Sequence, residues 1–95
     1  MEYLIDLGFT NDTIEVLNET IPKKAKEALI NKRDNVVANI NYLKDLGVSN
    51  YIASFVRFYN MFLLDPASFD EIFSKYDHDD LVAKIEKNVA ILEYL

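Results

Sequence analysis

The sequence predicts an all-α fold of about seven to eight short antiparallel helices, either a solenoid-like αα-repeat or a compact irregular bundle. Three observations predict it. The stretch Tyr42-Leu43-Lys44-Asp45-Leu46-Gly47-Val48-Ser49 echoes Tyr3-Leu4-Ile5-Asp6-Leu7-Gly8-Phe9-Thr10, 39 residues earlier, with five identities. Apolar residues recur at spacings of three and four along most of the chain. The β-branched residues are scattered at helical spacing and never form alternating runs.

The echoed stretch has a physical reading. A helix ends on Leu, and the following Gly takes the left-handed conformation that other residues resist. The next residue, Phe9 or Val48, packs back on the helix end. Thr10 or Ser49 then caps a new helix by accepting a backbone N–H bond. Residues 1–95 therefore read as one helical domain of two imperfect repeats, with corners at Gly8 and Gly47.

In chain order, a stub from about Glu2 to Leu7 stops at Gly8. A helix beginning after Thr10 and running to about Glu19 sets Ile14, Leu17 and Ile21 on one face. Pro22 suits the first turn of the next helix, where its missing N–H costs nothing, and that helix runs to about Ile30. Asn31 is a candidate cap for a helix from Lys32 to Leu46, with Asp34 in its first turn. A single bent helix from Pro22 to Leu46 is the alternative, since no Gly or Pro interrupts it. Val36, Val37, Ile40 and Leu43 form the stripe expected to be buried.

The stretch from Ser49 to about Leu63 is the most apolar, and it is expected to be the central core helix. Tyr51, Ile52, Phe55, Val56, Phe58, Tyr59, Phe62 and Leu63 fall on an arc of about 160° at 100° per residue. Ser54, Arg57 and Asn60 occupy the other side. Asp65 followed by Pro66 is a helix start, and the helix to about Lys75 buries Phe69, Ile72, Phe73 and Tyr76. Asp77 caps the next helix, with His78, Asp79 and Asp80 in its first turn, where acids are favoured by the helix dipole. The helical pattern continues from Leu81 to Leu95 with a break near Glu86. Leu81-Val82 and Val89 to Leu95 echo Leu29-Ile30 and Val37 to Leu43 at an offset of 52. The second repeat is thus 13 residues longer than the first.

Half of the 95 residues are hydrophobic and 13% are aromatic, enough for a real core and against disorder. There is no cysteine, so disulfide scaffolds and thiolate zinc sites are excluded. The longest unbroken apolar run, Met61 to Leu64, is far shorter than the ~20 residues of a membrane span. No secretory signal is visible. These features predict a soluble, cytoplasmic protein that does not enter membranes.

The formal net charge is -6, which disfavours nucleic acid and anionic membrane as partners. The charge is uneven. Lys23, Lys24, Lys26, Lys32 and Arg33, with Glu27 the one acid among them, give +4 between 23 and 33. Between 65 and 80 the balance is -5. The five basic residues are candidate contacts for an anion or a partner, although on a helical wheel they scatter. The alternative is an ordinary solvated face.

Chemistry is sparse. Both glycines are used as helix stops, leaving none for a phosphate-cradling loop. The only histidine, His78, sits among capping acids with no serine near it in sequence. Asp77 to Asp80 lacks calcium-loop spacing, and four consecutive helical residues cannot converge on one ion. The sequence therefore predicts no catalytic set, no cofactor and no metal ligands.

The repeated unit resembles the helical repeats of the mitochondrial transcription termination factor family. Those repeats pair a helix ending in a Leu-Gly stop with a second helix starting at Ser or Thr, as at Tyr42 to Ser49 and, less fully, Tyr3 to Thr10. The resemblance covers two partial repeats and implies an αα-repeat fold and binding of nucleic acid on a basic concave face. Two departures weigh against the binding. The chain is acidic, and the proline that those repeats carry near the end of the second helix is matched by Pro22 in the first copy but by Asn60-Met61 in the second. The expectation is a non-catalytic protein-interaction module with an unidentified protein partner. A nucleic-acid-binding repeat using Lys23 to Arg33, and a globular domain of other function, are the alternatives. Apolar residues at both ends, Leu4 and Leu7 at one and Tyr94 and Leu95 at the other, add the expectation of a weak homodimer.

Overall fold

The computed structural model describes residues 1–95, and it contains helices and no strand. Six α-helices are present: α1 (Asn11–Thr20), α2 (Lys23–Asn31), α3 (Arg33–Leu46), α4 (Tyr51–Phe58), α5 (Pro66–Ser74) and α6 (His78–Lys87). Three 3₁₀ segments, Glu2–Leu7, Tyr59–Leu63 and Val89–Tyr94, complete the chain. Tyr59–Leu63 follows α4 with no residue between them, so the nine segments form eight separated helical stretches. The radius of gyration is 12.7 Å, close to the ~12 Å of a compact domain of this length. Of the two predicted arrangements, the compact bundle is therefore the one that forms.

Both corners close as the sequence implies. Gly8 has φ +99° and Gly47 φ +103°. Phe9 N–H reaches the Leu4 carbonyl at 3.1 Å and Val48 N–H the Leu43 carbonyl at 3.0 Å. Gly8 and Gly47 donate to Ile5 and Lys44. Each end thus satisfies its orphan carbonyls with a 6→1 and a 5→2 bond, and Leu4, Phe9, Leu43 and Val48 are all buried beneath them. Thr10 caps α1 through Thr13 N–H, Asp65 caps α5 through Ser68 N–H, and Asp77 caps α6 through Asp79 N–H.

Other boundaries differ from the sequence reading. Asn31 is the last residue of α2 and caps nothing; the kink lies at Lys32, with φ -104° and ψ 31°. In a continuous helix the Leu29 carbonyl would accept from Arg33 N–H. Here it accepts the Tyr3 hydroxyl at 2.8 Å. Ser49 does not cap α4, whose N-cap is Asn50 without a side-chain bond. Instead Ser49 donates both its N–H and its hydroxyl to Glu86 Oε1, at 3.1 and 2.9 Å. The break expected near Glu86 falls at Asn88, which accepts from Ala90 N–H and opens the last 3₁₀ segment. That segment echoes α3 in sequence but not in conformation.

The stretch 51–63 is not one helix and is not the centre. It breaks at Phe58, where φ is -128°. Asn39, fully buried on α3, donates to the carbonyls of Phe62 and Leu64 at 3.0 and 2.8 Å and so satisfies the end of the second 3₁₀ segment. The central element is α3, which touches the N-terminal segment, α2, α4, the Tyr59–Leu63 segment and α5. Ser54, expected outside, is buried and bonds the Asn50 carbonyl, whereas Tyr76, expected inside, is 40% exposed. A ladder of rings crosses the core from Phe9 through Phe55, Phe62 and Phe69 to Phe73, with successive centroids 5.5, 5.2, 5.3 and 4.8 Å apart. Tilted and edge-to-face contacts of this kind add to the stabilisation from burial alone.

Candidate functional site

The five basic residues singled out in the sequence do not form one site. Lys23 and Lys24 open α2, while Lys32 and Arg33 lie at its far end, roughly 13 Å away for nine residues at 1.5 Å each. Lys26 folds back across α1 and donates to the Asn18 carbonyl at 3.0 Å. Only Arg33 lines a groove, together with Met1, Glu2, Tyr3, Asn11, Ile14, Asn18 and Ile30. Its volume is about 510 Å³. α1 supplies Asn11, Ile14 and Asn18 at spacings of three and four, which sets them on one face. The N-terminal 3₁₀ segment supplies Glu2 and Tyr3, and the kink at Lys32 brings Ile30 and Arg33 to the same wall. Burial pushes the Tyr3 phenol up to about 12, and the nearby Arg33 guanidinium opposes part of that rise.

A second region lies around the C-terminal 3₁₀ segment. One groove of about 340 Å³ is lined mostly by Phe58, Tyr59, Met61, Ile72, Leu92 and Leu95, with Arg57 and Asn60 among its polar residues. A smaller one of about 150 Å³ is lined by Tyr76, Leu81, Ile91, Tyr94 and Leu95, with Asp80 and Lys84 beside them. Leu95 belongs to both, so the two grooves adjoin. Tyr94 is 77% exposed, the most exposed of the large hydrophobic residues. At the other end Leu4 and Leu7 are buried, contrary to the expectation that both ends present apolar surface.

The acidic run is occupied by structural work. Asp77 caps α6, and Asp80 pairs with Lys84 one turn on at 3.0 Å. No three His, Cys, Asp or Glu side chains are arranged to hold a metal ion. His78 is exposed in the first turn of α6. No helix is long and apolar enough to cross a membrane.

Sequence reasoning missed the groove at Arg33 and the role of Asn39. The groove lies at the kink at Lys32, where the distant Tyr3 hydroxyl bonds the Leu29 carbonyl. Asn39 did leave a signal: it lies within the stripe of Val36, Ile40 and Leu43, where a polar side chain must find partners. Comparison with protein-family models, with curated proteins and with solved structures finds no match for this chain.

Proposed function

We propose that the chain is a non-catalytic protein-interaction module whose contact surface is the apolar end around Tyr94 and Leu95. The observation that carries this reading is the pair of adjoining grooves sharing Leu95, rimmed by Arg57, Asp80 and Lys84. An apolar centre with a charged rim is how protein interfaces are commonly built. Tyrosine suits such a surface, since it brings contact area and a polar tip at low conformational cost. A second copy of the chain is one candidate partner. That version now rests on the C-terminal end alone, because Leu4 and Leu7 are buried.

The test compares the wild type with Tyr94→Glu, a change outside the core. Crosslinking in a native extract is expected to retain a defined set of proteins with the wild type and to lose it with the variant. Sedimentation across a wide concentration range identifies self-association as departure from the monomer mass of 11.0 kDa. Identical crosslinked sets for both proteins, with a constant monomer mass, would remove this surface as the contact. Reproducible turnover in a substrate screen, lost on changing one named residue, would overturn the non-catalytic part.

A further inference from the structure

The groove between α1 and the α2–α3 kink combines features that point to one kind of ligand. Its apolar surface comes from Met1, Ile14, Ile30 and the Tyr3 ring, and Ile30 is 54% exposed. Its one basic side chain is Arg33. Its one acid is Glu2. The Tyr3 hydroxyl is already committed to the Leu29 carbonyl, and the chain's single ion pair, Lys84–Asp80, lies elsewhere. Arg33 therefore keeps its planar fork of donors available, and that fork matches a carboxylate with two parallel bonds. Glu2 and the net charge of -6 disfavour more highly charged anions. The Asn11 and Asn18 side chains each offer one acceptor and two donors, the complement of a peptide bond. A volume of about 510 Å³ lies within the ~300–1,000 Å³ typical of small-ligand clefts.

We infer that this groove takes a carboxylate carried beside a branched aliphatic group, in the form of a peptide C-terminus ending in leucine, isoleucine or valine. Arg33 holds the carboxylate, the exposed Ile30 receives the aliphatic side chain over the edge of the largely buried Ile14, and Asn11 and Asn18 bond the preceding peptide groups. This adds a contact chemically distinct from the apolar surface at Tyr94, and it stands or falls independently of that surface.

The test is an NMR titration of the full ¹⁵N-labelled chain with three probes: N-acetyl-alanyl-alanyl-leucine, the same peptide as its C-terminal amide, and 4-methylpentanoate. The free-acid peptide is expected to give saturable shifts at Asn11, Ile14, Asn18 and Arg33. The amide, and the free-acid peptide on Arg33→Gln, are expected to bind about tenfold more weakly or worse, as for loss of a charged hydrogen bond. Glu2→Gln is expected to tighten binding. Arg33 is exposed, and an unchanged spectrum away from the groove shows that its variant is folded. Equal binding of the acid and the amide would overturn the carboxylate assignment. Binding of 4-methylpentanoate as tight as that of the peptide would overturn the peptide assignment in favour of a free acid. No saturable shift at the groove with any probe would overturn the inference entirely.

Discussion

At Gly8 and at Gly47 the chain closes a helix end with the same pair of bonds, and the two glycines differ by only a few degrees in φ. Their surroundings differ. A Cβ at Gly47 would meet nothing within 4 Å, whereas one at Gly8 would lie 2.5 Å from the Tyr51 hydroxyl. That hydroxyl donates to the Leu7 carbonyl at 2.7 Å, so it is not free to move aside. Tyr51 also sets its ring edge-on to Phe9 and lies beneath Lys44 Nζ, 5.3 Å from the ring centre. The residue that follows the second corner thus locks the first, while no atom lies against Gly47 in the same way. At the place Tyr51 holds after Ser49, the first copy has Asp12 after Thr10. Five shared residues of eight produced the same glycine closure on a 3₁₀ segment and on an α-helix, while a single side chain two residues past the shared stretch produced the asymmetry.

The largest expected difference follows from that lock. Gly47→Ala should cost about 1 kcal/mol, the strain of a Cβ in the left-handed region. Gly8→Ala carries the same strain and also displaces the Tyr51 hydroxyl from Leu7, for about 2–3 kcal/mol in all. Denaturant midpoints of the two variants check this directly, and equal losses would make the corners equivalent.

The paired tyrosines sharpen the comparison at a smaller scale. Tyr3 bonds the Leu29 carbonyl. Tyr42, at the same place in the second copy, has a buried hydroxyl with no hydrogen-bond partner of good geometry. Burial pushes its pKa up, and the nearby Asp70 carboxylate pushes it further, with Ser74 opposing. Tyr3→Phe should therefore lose about 1 kcal/mol, whereas Tyr42→Phe should be neutral or slightly stabilising. For Tyr3 the folded pKa is raised from 10.0 to about 12, so its contribution is complete below pH 10 and fades as pH rises towards 12. The alkaline unfolding profile of Tyr3→Phe should lack that share of the loss.

The smallest effect concerns the hydroxyl residue of each corner. Thr10 caps its own helix, while Ser49 bonds Glu86 and thereby ties the second corner to α6. The backbone bond from Ser49, followed by its side-chain bond, holds the Glu86 carboxyl below its ordinary 4.5. The stabilisation is therefore present above that pH and is lost as pH falls through the lowered value. Glu86→Gln should flatten part of the acid limb of the stability profile. Asp65, held down in the same way by its cap to Ser68, should keep the remainder.

These contrasts also separate what was legible in the sequence from what was not. The glycine stops and the caps at Thr10, Asp65 and Asp77 were legible because each is set by residues within a turn of one another. Ser49 and Asn31 looked like caps by the same rule, but Glu86, 37 residues away, engaged the serine. The break between α2 and α3 was legible to within a residue, although not its cause, since the Leu29 carbonyl there bonds the distant Tyr3 hydroxyl. The 3₁₀ end of the 51–63 stretch was hidden because Asn39, distant in sequence, bonds the backbone carbonyls there. The basic run was legible as composition only. Whether its members converge depends on the kink at Lys32, and only Arg33 reaches a groove.

The one-way lock between the corners is tested most directly by a double-mutant cycle pairing each glycine with Tyr51. In the wild-type background Gly8→Ala should cost more than Gly47→Ala. In the Tyr51→Phe background the hydroxyl is gone, so the Gly8→Ala cost should fall by about 1 kcal/mol while the Gly47→Ala cost stays the same. A Gly8→Ala cost that does not change on removing the Tyr51 hydroxyl would show that the first corner stands without the second.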